Sequence, residues 1–152
     1  MKKIISLLIL FFFITACGFS PIYINKKNNF SISSIIINGE RKISYKIRNN
    51  LRKYLQLKDK PNSYQLDINA NKRVRISSKD QKGNPKTFEI TIEVELLTTK
   101  ESAVYKKKFV RTFSYQNQEN KFNLKNYENE IIENLSEKII LEINDYLFNL
   151  SE

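Results

Sequence analysis

Residues 64–76 are YQLDINANKRVRI, and residues 88–96 are FEITIEVEL. Both stretches alternate apolar with polar side chains, and a period of two predicts β-strands that have one buried and one solvated face. The interval between them holds residues 80–84, DQKGN, whose aspartate, glycine and asparagine are typical of a turn. The two strands therefore predict a long antiparallel hairpin, and this hairpin decides the fold.

Four further elements flank the hairpin. Residues 30–37 are rich in β-branched side chains and predict a strand, as do residues 105–115, whose aromatic side chains alternate. Residues 41–57 and 124–150 place apolar side chains at helical spacing and predict two amphipathic helices. The order β-α-β-β-β-α predicts an α+β fold with a four-stranded, mostly antiparallel sheet. Because one apolar sheet face needs one covering layer, we expect both helices to pack on that face.

The apolar faces of neighbouring strands must match, since a one-residue slip turns every side chain over. This condition predicts which residues lie opposite each other. In the first hairpin they are the residues whose numbers sum to 164, and in the second hairpin those whose numbers sum to 201. Opposite charges then face each other on the solvated side of the sheet. The expected pairs are Arg75–Glu89, Glu95–Lys106 and Glu93–Lys108.

The N-terminus has the composition of a secretory signal. Residues 1–3 include two lysines, and residues 4–14 are apolar except for one serine. Eleven helical residues span about 16 Å, which is too short to cross a bilayer. Residues 14–18, ITACG, look like a bacterial lipobox, in which the cysteine thiol is acylated before the peptide is cut. We therefore expect cleavage after Ala16 and an acylated N-terminus at Cys17, rather than a buried structural cysteine.

These features divide the chain into three segments. Residues 1–16 are the signal peptide, residues 17–29 carry the acylated cysteine and a polar linker, and residues 30–152 form one domain. Without the signal peptide the chain has 24 basic and 16 acidic residues. Residues 17–121 carry a net charge of +13, whereas residues 122–152 carry −5. This polarity predicts internal complementarity, with positive charge left over for an anionic partner.

The residue inventory excludes several classes of function. The chain has no histidine, one cysteine and three glycines, so it has no imidazole base, no cysteine pair and no glycine-rich phosphate loop. We expect no catalytic residue, no metal site and no cofactor. An enzyme that uses Glu93 and Glu95 as paired carboxylates is the alternative. Both would lie on a solvated face beside lysines, without the desolvation that raises a carboxyl pKa.

Two groups of cations are candidates for binding an anionic ligand. One group occupies positions where the alternation is otherwise apolar, and comprises Lys72, Lys107 and Arg111. An unpaired charge is costly there. These side chains either reach the sheet rim, pair with Glu128, Glu133 or Glu137 of the last helix, or meet a ligand. The other group surrounds the turn of the first hairpin and comprises Lys79, Lys82 and Lys86.

Residues 17–23, CGFSPIY, resemble the CGF-x-P-L-Y start of lipopolysaccharide-assembly lipoproteins of the LptE type. The element order over residues 30–150 is similar to the sheet and two helices of that family. The resemblance implies a lipoprotein on the periplasmic side of the outer membrane that occupies the lumen of an LptD-type β-barrel. It would assist barrel assembly and the delivery of lipopolysaccharide (LPS) to the cell surface. Gly18 after the cysteine, where an aspartate would retain the protein at the inner membrane, fits this destination.

The partners that the resemblance implies are the LptD-type barrel, LPS and, through Cys17, the membrane. The alternative is an auxiliary binding lipoprotein of another envelope transport or assembly complex. Nucleic acid is the usual partner of a chain with an isoelectric point near 9.6, but export from the cytoplasm argues against it.

The lipobox generates the first prediction. Cys17→Ser removes the only thiol that can be acylated, so the variant should lose lipid labelling and leave the membrane fraction. Mass spectrometry of the wild-type mature protein should show an acylated Cys17. An unmodified Cys17 in that protein would contradict the prediction.

Overall fold

The computed structural model describes residues 29–152, so the predicted signal peptide and the site of acylation lie outside the described residues. The elements are β1 (Phe30–Gly39), α1 (Arg41–Leu55), β2 (Asn62–Lys79), β3 (Pro85–Lys100), β4 (Ala103–Gln116) and α2 (Lys121–Asn149). The four strands form one sheet in the order β1-β2-β3-β4. β1 is parallel to β2, and the other two pairings are antiparallel. The predicted α+β class and element order are confirmed.

The hydrophobic core lies between the helices and one face of the sheet. The alternation buries every second residue from Tyr64 to Ala70 in β2 and from Ile90 to Leu96 in β3. On β1, the ring of Phe30 lies 4.8 Å from that of Tyr54 in α1 and 5.3 Å from that of Phe148 in α2. Because one buried strand residue contacts both helices, both helices cover the same sheet face, as predicted.

The junction between β1 and α1 is a close backbone contact. Gly39 has a φ of +101°, and a Cβ atom at this position would lie 2.0 Å from the carbonyl oxygen of Ala70. The next N–H, that of Glu40, donates to this oxygen over 2.7 Å. The Glu40 carboxylate also caps α1 by accepting from the Ile43 N–H. α1 therefore begins beside Ala70, where the pairing of β1 with β2 ends.

The predicted register of the first hairpin is confirmed. Arg75 lies opposite Glu89, and the two side chains form an ion pair of 2.7 Å. The turn at residues 80–84 is also present, with the Gly83 N–H donating to the Asp80 carbonyl. A strand pairing set by side-chain alternation and by a glycine-containing turn was therefore predictable.

The predicted register of the second hairpin is wrong by two residues. The paired residue numbers sum to 203, and Phe109 lies opposite Val94 rather than Ile92. The reason is the two-residue loop at residues 101–102, in which Glu101 has a φ of +54°. An even shift keeps every side chain on its predicted face. The predicted ion pairs still form, now diagonally: Glu93–Lys108 at 2.7 Å and Glu95–Lys106 at 3.3 Å.

Both helices follow their predicted apolar stripes with small differences at the ends. α1 ends at Leu55, which is exposed, two residues earlier than expected. α2 begins three residues earlier than expected, because the Asn120 side chain accepts from the N–H groups of Phe122 and Asn123 and caps the helix there. Neither described helix has the length and apolar content needed to cross a membrane.

The Gly39 contact predicts a difference between two glycines. Gly39→Ala adds a methyl group against the Ala70 carbonyl and strains a positive φ, so it should lower the free energy of unfolding by about 3 kcal/mol or more. Gly83→Ala strains its φ of +84° in open space and should cost about 1–2 kcal/mol. Urea denaturation followed by circular dichroism measures both. Equal losses would contradict the steric role of Gly39.

Candidate functional site

The candidate site is built on three rows of residues that cross β2, β3 and β4 beyond the end of β1. The rows are Lys72–Ile92–Arg111, Val74–Ile90–Phe113 and Ile76–Phe88–Tyr115. These residues follow the same alternation along each strand that buries Ala70 and Val94, so they lie on the helix-covered face of the sheet. Residues 72–92, together with residues 111–127, are referred to below as the distal end.

α2 covers the middle of the distal end. Ile90 is fully buried, and Tyr115 is buried with its hydroxyl donating to the Glu128 carboxylate over 2.7 Å. Burial raises the pKa of Tyr115, and the bond to Glu128 raises it further, so the phenol keeps its proton and acts as a donor. The ring of Tyr127 packs edge-on against Tyr115. These contacts fix the first turns of α2 over β3 and β4.

The flanks of the distal end expose apolar side chains. α1 starts beside Ala70 and runs back over β1, so it does not cover Val74 and Ile76, which are 43% and 46% exposed. Phe113 on β4 is 42% exposed. Phe122 and Tyr127 in α2 are also exposed. Exposed apolar residues that continue the phase of a buried sheet face are typical of an interaction surface.

The candidates Lys72 and Arg111 flank the buried Ile92 in one row. Lys72 lies 3.9 Å from Glu40, and Arg111 forms an ion pair with Glu142 of α2. Their partners differ from the acidic residues expected from the sequence. Both cations are half-buried or exposed at the rim, where they keep part of their access to solvent.

The third cation at an apolar-phase position, Lys107, does not belong to the distal end. It lies opposite Leu96, in a row that β1 still spans, whereas the rows of the distal end lie beyond β1. Its side chain is exposed. The structure therefore places Lys72 and Arg111 in one row, with Ile92 between them, and Lys107 in a different row.

Lys79, Lys82 and Lys86 cluster at the tip of the first hairpin, as expected, and all three are exposed. The nearby Asp80 is already engaged, because its carboxylate accepts from the N–H groups of Lys82 and Asn84 and from the Asn84 side-chain amide. These hydrogen bonds, that from the Asn84 backbone above all, lower the pKa of Asp80. Among residues 29–152, no ion pair involves any of the three lysines.

A fourth lysine, Lys121, joins this cluster and was missed in the sequence. The Asn117 N–H donates to the Lys86 carbonyl, which returns the chain to the hairpin just before α2. The Lys121 ammonium then bonds Asn117 and the Gln118 carbonyl rather than a carboxylate. Two open depressions meet at Lys86, one of about 700 Å³ between the hairpin lysines and one of about 550 Å³ reaching Lys121. Lys121 could not be assigned to this cluster from the sequence, because only the folded chain brings it close to Lys86.

The distal end thus joins exposed apolar side chains to a rim of cations. A ligand with hydrocarbon and phosphate parts can satisfy both, since lysines attract phosphate as point charges and apolar side chains accept hydrocarbon. The carboxylates of Glu93 and Glu95 lie on the opposite sheet face, bound to lysines. Within residues 29–152, no three acidic or cysteine side chains are grouped as metal ligands would be.

Comparison with known proteins supports the fold. No protein-family model and no curated protein matches the chain. The structure is similar to that of rare lipoprotein B from Shewanella oneidensis, with a TM-score of 0.56 and 16% identity over 78% of this chain and 99% of that one. Lipoprotein B from Nitrosomonas europaea, described as uncharacterized, gives 0.54 and 15% identity over 78% and 81%. At these identities the likeness concerns the fold alone, which this chain shares with bacterial lipoproteins.

The carboxylate of Asp80 should hold the hairpin tip in a pH-dependent way. Its pKa is lower in the folded protein, so its contribution is present above the unfolded pKa, about 3.9, and is lost as the pH falls through the folded value. Asp80→Ala should therefore speed amide exchange at Lys82 and Asn84 at neutral pH, with little effect on core amides. Asp67→Ala, an exposed acid of β2, is the control and should leave both amides unchanged. Unaltered exchange in Asp80→Ala would contradict this role.

Proposed function

We propose that this chain is a lipid-anchored protein on the periplasmic side of the outer membrane that acts by binding. Its partners are an LptD-type β-barrel and LPS, and its role is to assist barrel assembly and the delivery of LPS to the cell surface. The observation that carries the proposal is the distal end, where exposed apolar side chains adjoin four lysines that form no ion pair with any of residues 29–152. The lipobox at Cys17 and the fold shared with bacterial lipoproteins support the location.

The ligand chemistry follows from the two parts of the distal end. LPS combines acyl chains with phosphate groups. The hydrocarbon would contact Val74, Ile76 and Phe113, whose side chains already lie about half in solvent. The phosphates would meet Lys79, Lys82, Lys86 and Lys121. Lys72 and Arg111 stand between these parts and are the next cations that such a ligand would reach.

The opposite face of the sheet supports a barrel as the protein partner. It carries the pairs Arg75–Glu89, Glu93–Lys108 and Glu95–Lys106, and the hydroxyls of Thr91 and Thr112 bond each other over 3.2 Å. Because these six charged side chains are paired within the face, they can enter a polar environment without being left unpaired. The lumen of an outer-membrane barrel is such an environment.

The ligand part is tested by charge reversal at the hairpin tip. Lys79→Glu, Lys82→Glu and Lys86→Glu combined should weaken LPS binding roughly tenfold at low salt, and the difference should shrink as salt screens the charges. The control reverses Lys58, Lys60 and Lys100, three lysines outside the distal end that give the same change in net charge. Thermal unfolding verifies that both variants fold. Equal loss in both variants would show that net charge, rather than the tip, attracts LPS.

The partner is tested by affinity purification of the tagged, lipidated protein. We expect an LptD-type barrel to copurify, and depletion of the protein to lower mature barrel and surface LPS together. Copurification of a different envelope complex would favour the auxiliary lipoprotein of another transport or assembly system. Unchanged levels of both barrel and surface LPS on depletion would reject the proposal.

A further inference from the structure

The outer side of α1 carries a row of exposed arginines. Arg41, Arg48 and Arg52 lie on one side of the helix together with Tyr45, because steps of four, three and four residues return to the same side. All four side chains are exposed, and Tyr45 is 66% exposed. Among residues 29–152, no ion pair involves any of these three arginines. These four residues are referred to as the arginine stripe.

Other cations of α1 have structural partners. Lys46 bridges Glu133 and Glu137 of α2 at 2.8 and 3.0 Å, and Lys42 donates to Asn129 of α2 over 3.3 Å. Both lysines therefore face the acidic helix and join the two helices. Among residues 29–152, the three arginines of the stripe form no ion pair with α2 and take no part in this complementarity.

Neither helix electrostatics nor composition accounts for the stripe. A cation in the last turn, such as Arg52, is favourable to a helix, but Arg41 lies in the first turn, where the helix dipole opposes it. The carboxylate of the preceding Glu40 accepts from the Ile43 N–H and lies 3.9 Å from Lys72. The chain has 20 lysines and only six arginines, and half of the arginines lie on this stripe. Arg75 and Arg111, among the others, are in ion pairs. Arginine is the side chain that binds phosphate with two parallel hydrogen bonds.

The chain enters the domain at the last turn of α1. The ring of Phe30, the first residue of β1, packs on Tyr54, two residues after Arg52. Residues 17–29 can span at most about 45 Å when extended, whereas α1 is about 22 Å long. A membrane that holds an acylated Cys17 is therefore within reach of the whole stripe.

An apolar groove lies beside the stripe. It has a volume of about 660 Å³ between the helices. Its lining comprises Tyr45, Lys46, Asn49 and Asn50 of α1 and Glu137, Ile140 and Leu141 of α2. Tyr45 and Leu141 are both more than half exposed. Tyrosine beside cations is typical of surfaces that lie at the headgroup level of a bilayer, where the ring is half in hydrocarbon and half in water.

We propose that the arginine stripe docks on anionic phospholipids of the leaflet that holds the acyl anchor, so that α1 lies along the membrane surface. The inference rests on the acylation of Cys17 in the proposed function, but it needs neither the barrel nor LPS. The phosphates bind Arg41, Arg48 and Arg52, and Tyr45 enters the headgroup layer. The acyl anchor holds the protein at the leaflet, and the cationic surface adds attraction to the anionic headgroups there. An acidic protein surface is the competing occupant, and the experiment separates the two.

The experiment uses the full mature, lipidated protein in vesicles. Asn49→Cys, labelled with a polarity-sensitive fluorophore, reports the environment beside the stripe, since Cys17 is the only other cysteine and is blocked by acylation. The vesicles are phosphatidylcholine alone or with phosphatidylglycerol. The label should shift to the blue and be quenched by brominated lipid only in the anionic vesicles, and 0.5 M salt should reverse both effects. A label at Val104→Cys, on the opposite face of the sheet, should not respond.

Matched variants identify the residues responsible. Arg41→Gln, Arg48→Gln and Arg52→Gln combined should reduce the docked fraction relative to the free one roughly a hundredfold, because each cation near an anionic surface contributes about fivefold. Removing the same charge from the other sheet face, with Arg73→Gln, Lys106→Gln and Lys108→Gln, should leave docking intact. The corresponding arginine-to-lysine triple should retain most of it.

Two results would overturn the inference. One is a label that behaves alike in neutral and anionic vesicles to which the acylated protein is bound. The other is a label that responds only when a copurified protein partner is added, which would assign the stripe to an acidic protein surface. Intact mass measures acylation separately, so failure of the anchor is distinguished from failure of the stripe. LPS binding and barrel copurification are not part of the readout.

Discussion

The contact between Gly39 and the Ala70 carbonyl divides the sheet into a part that α1 covers and a part that lies beyond α1. Because Gly39 has no Cβ and adopts a positive φ, β1 can end against β2, and the Glu40 N–H then bonds the same oxygen. α1 starts at once and returns over β1, so the parallel pairing stops at Ala70. β2 runs on to Lys79 in the same alternation. Its apolar side chains beyond Ala70 therefore lie outside the cover of α1, and they form one flank of the distal end.

Charge follows the same division. The predicted complementarity between a basic body and an acidic last helix is present at the helix interface, where Lys46 binds both Glu133 and Glu137. Burial would lower the pKa of Lys46, but these two bonds outweigh it and raise the pKa, while Lys46 lowers the pKa of Glu133. The pair therefore stays charged across the usual pH range. The acidic residues of α2 that hold Lys46, Arg111 and Tyr115 are engaged along the helix, and the hairpin tip lies beyond them.

The alternation of side chains was enough to predict the element order, the sheet face that each residue occupies and the first register. It could not distinguish a register shifted by two, because such a shift moves no side chain to another face; the loop at Glu101 decides that. Nor could it show that Val74 and Ile76 lie beyond the cover, since this depends on where Gly39 lets β1 stop. The hairpin lysines were found from sequence because they are adjacent in it. Lys121 and the partners of Lys72 and Arg111 depend on how the chain returns, which local patterns do not contain.

The direction of α1 relates two groups of cations to each other, the arginine stripe and the lysines of the hairpin tip, which form no ion pairs within the described part of the chain. Its last turn, with Arg52, lies beside Phe30, where the segment from Cys17 arrives, and its first turn, with Arg41, lies beside Ala70, where the distal end begins. From Arg52 to Arg41 the stripe therefore extends over about 16 Å, from the anchored end toward the distal end. If α1 lies along the leaflet, the rigid packing of α1 on β1 and β2 fixes the position of the distal end relative to the membrane surface. An acyl anchor on a linker alone leaves that position variable, so the stripe would give the ligand-binding end a defined orientation.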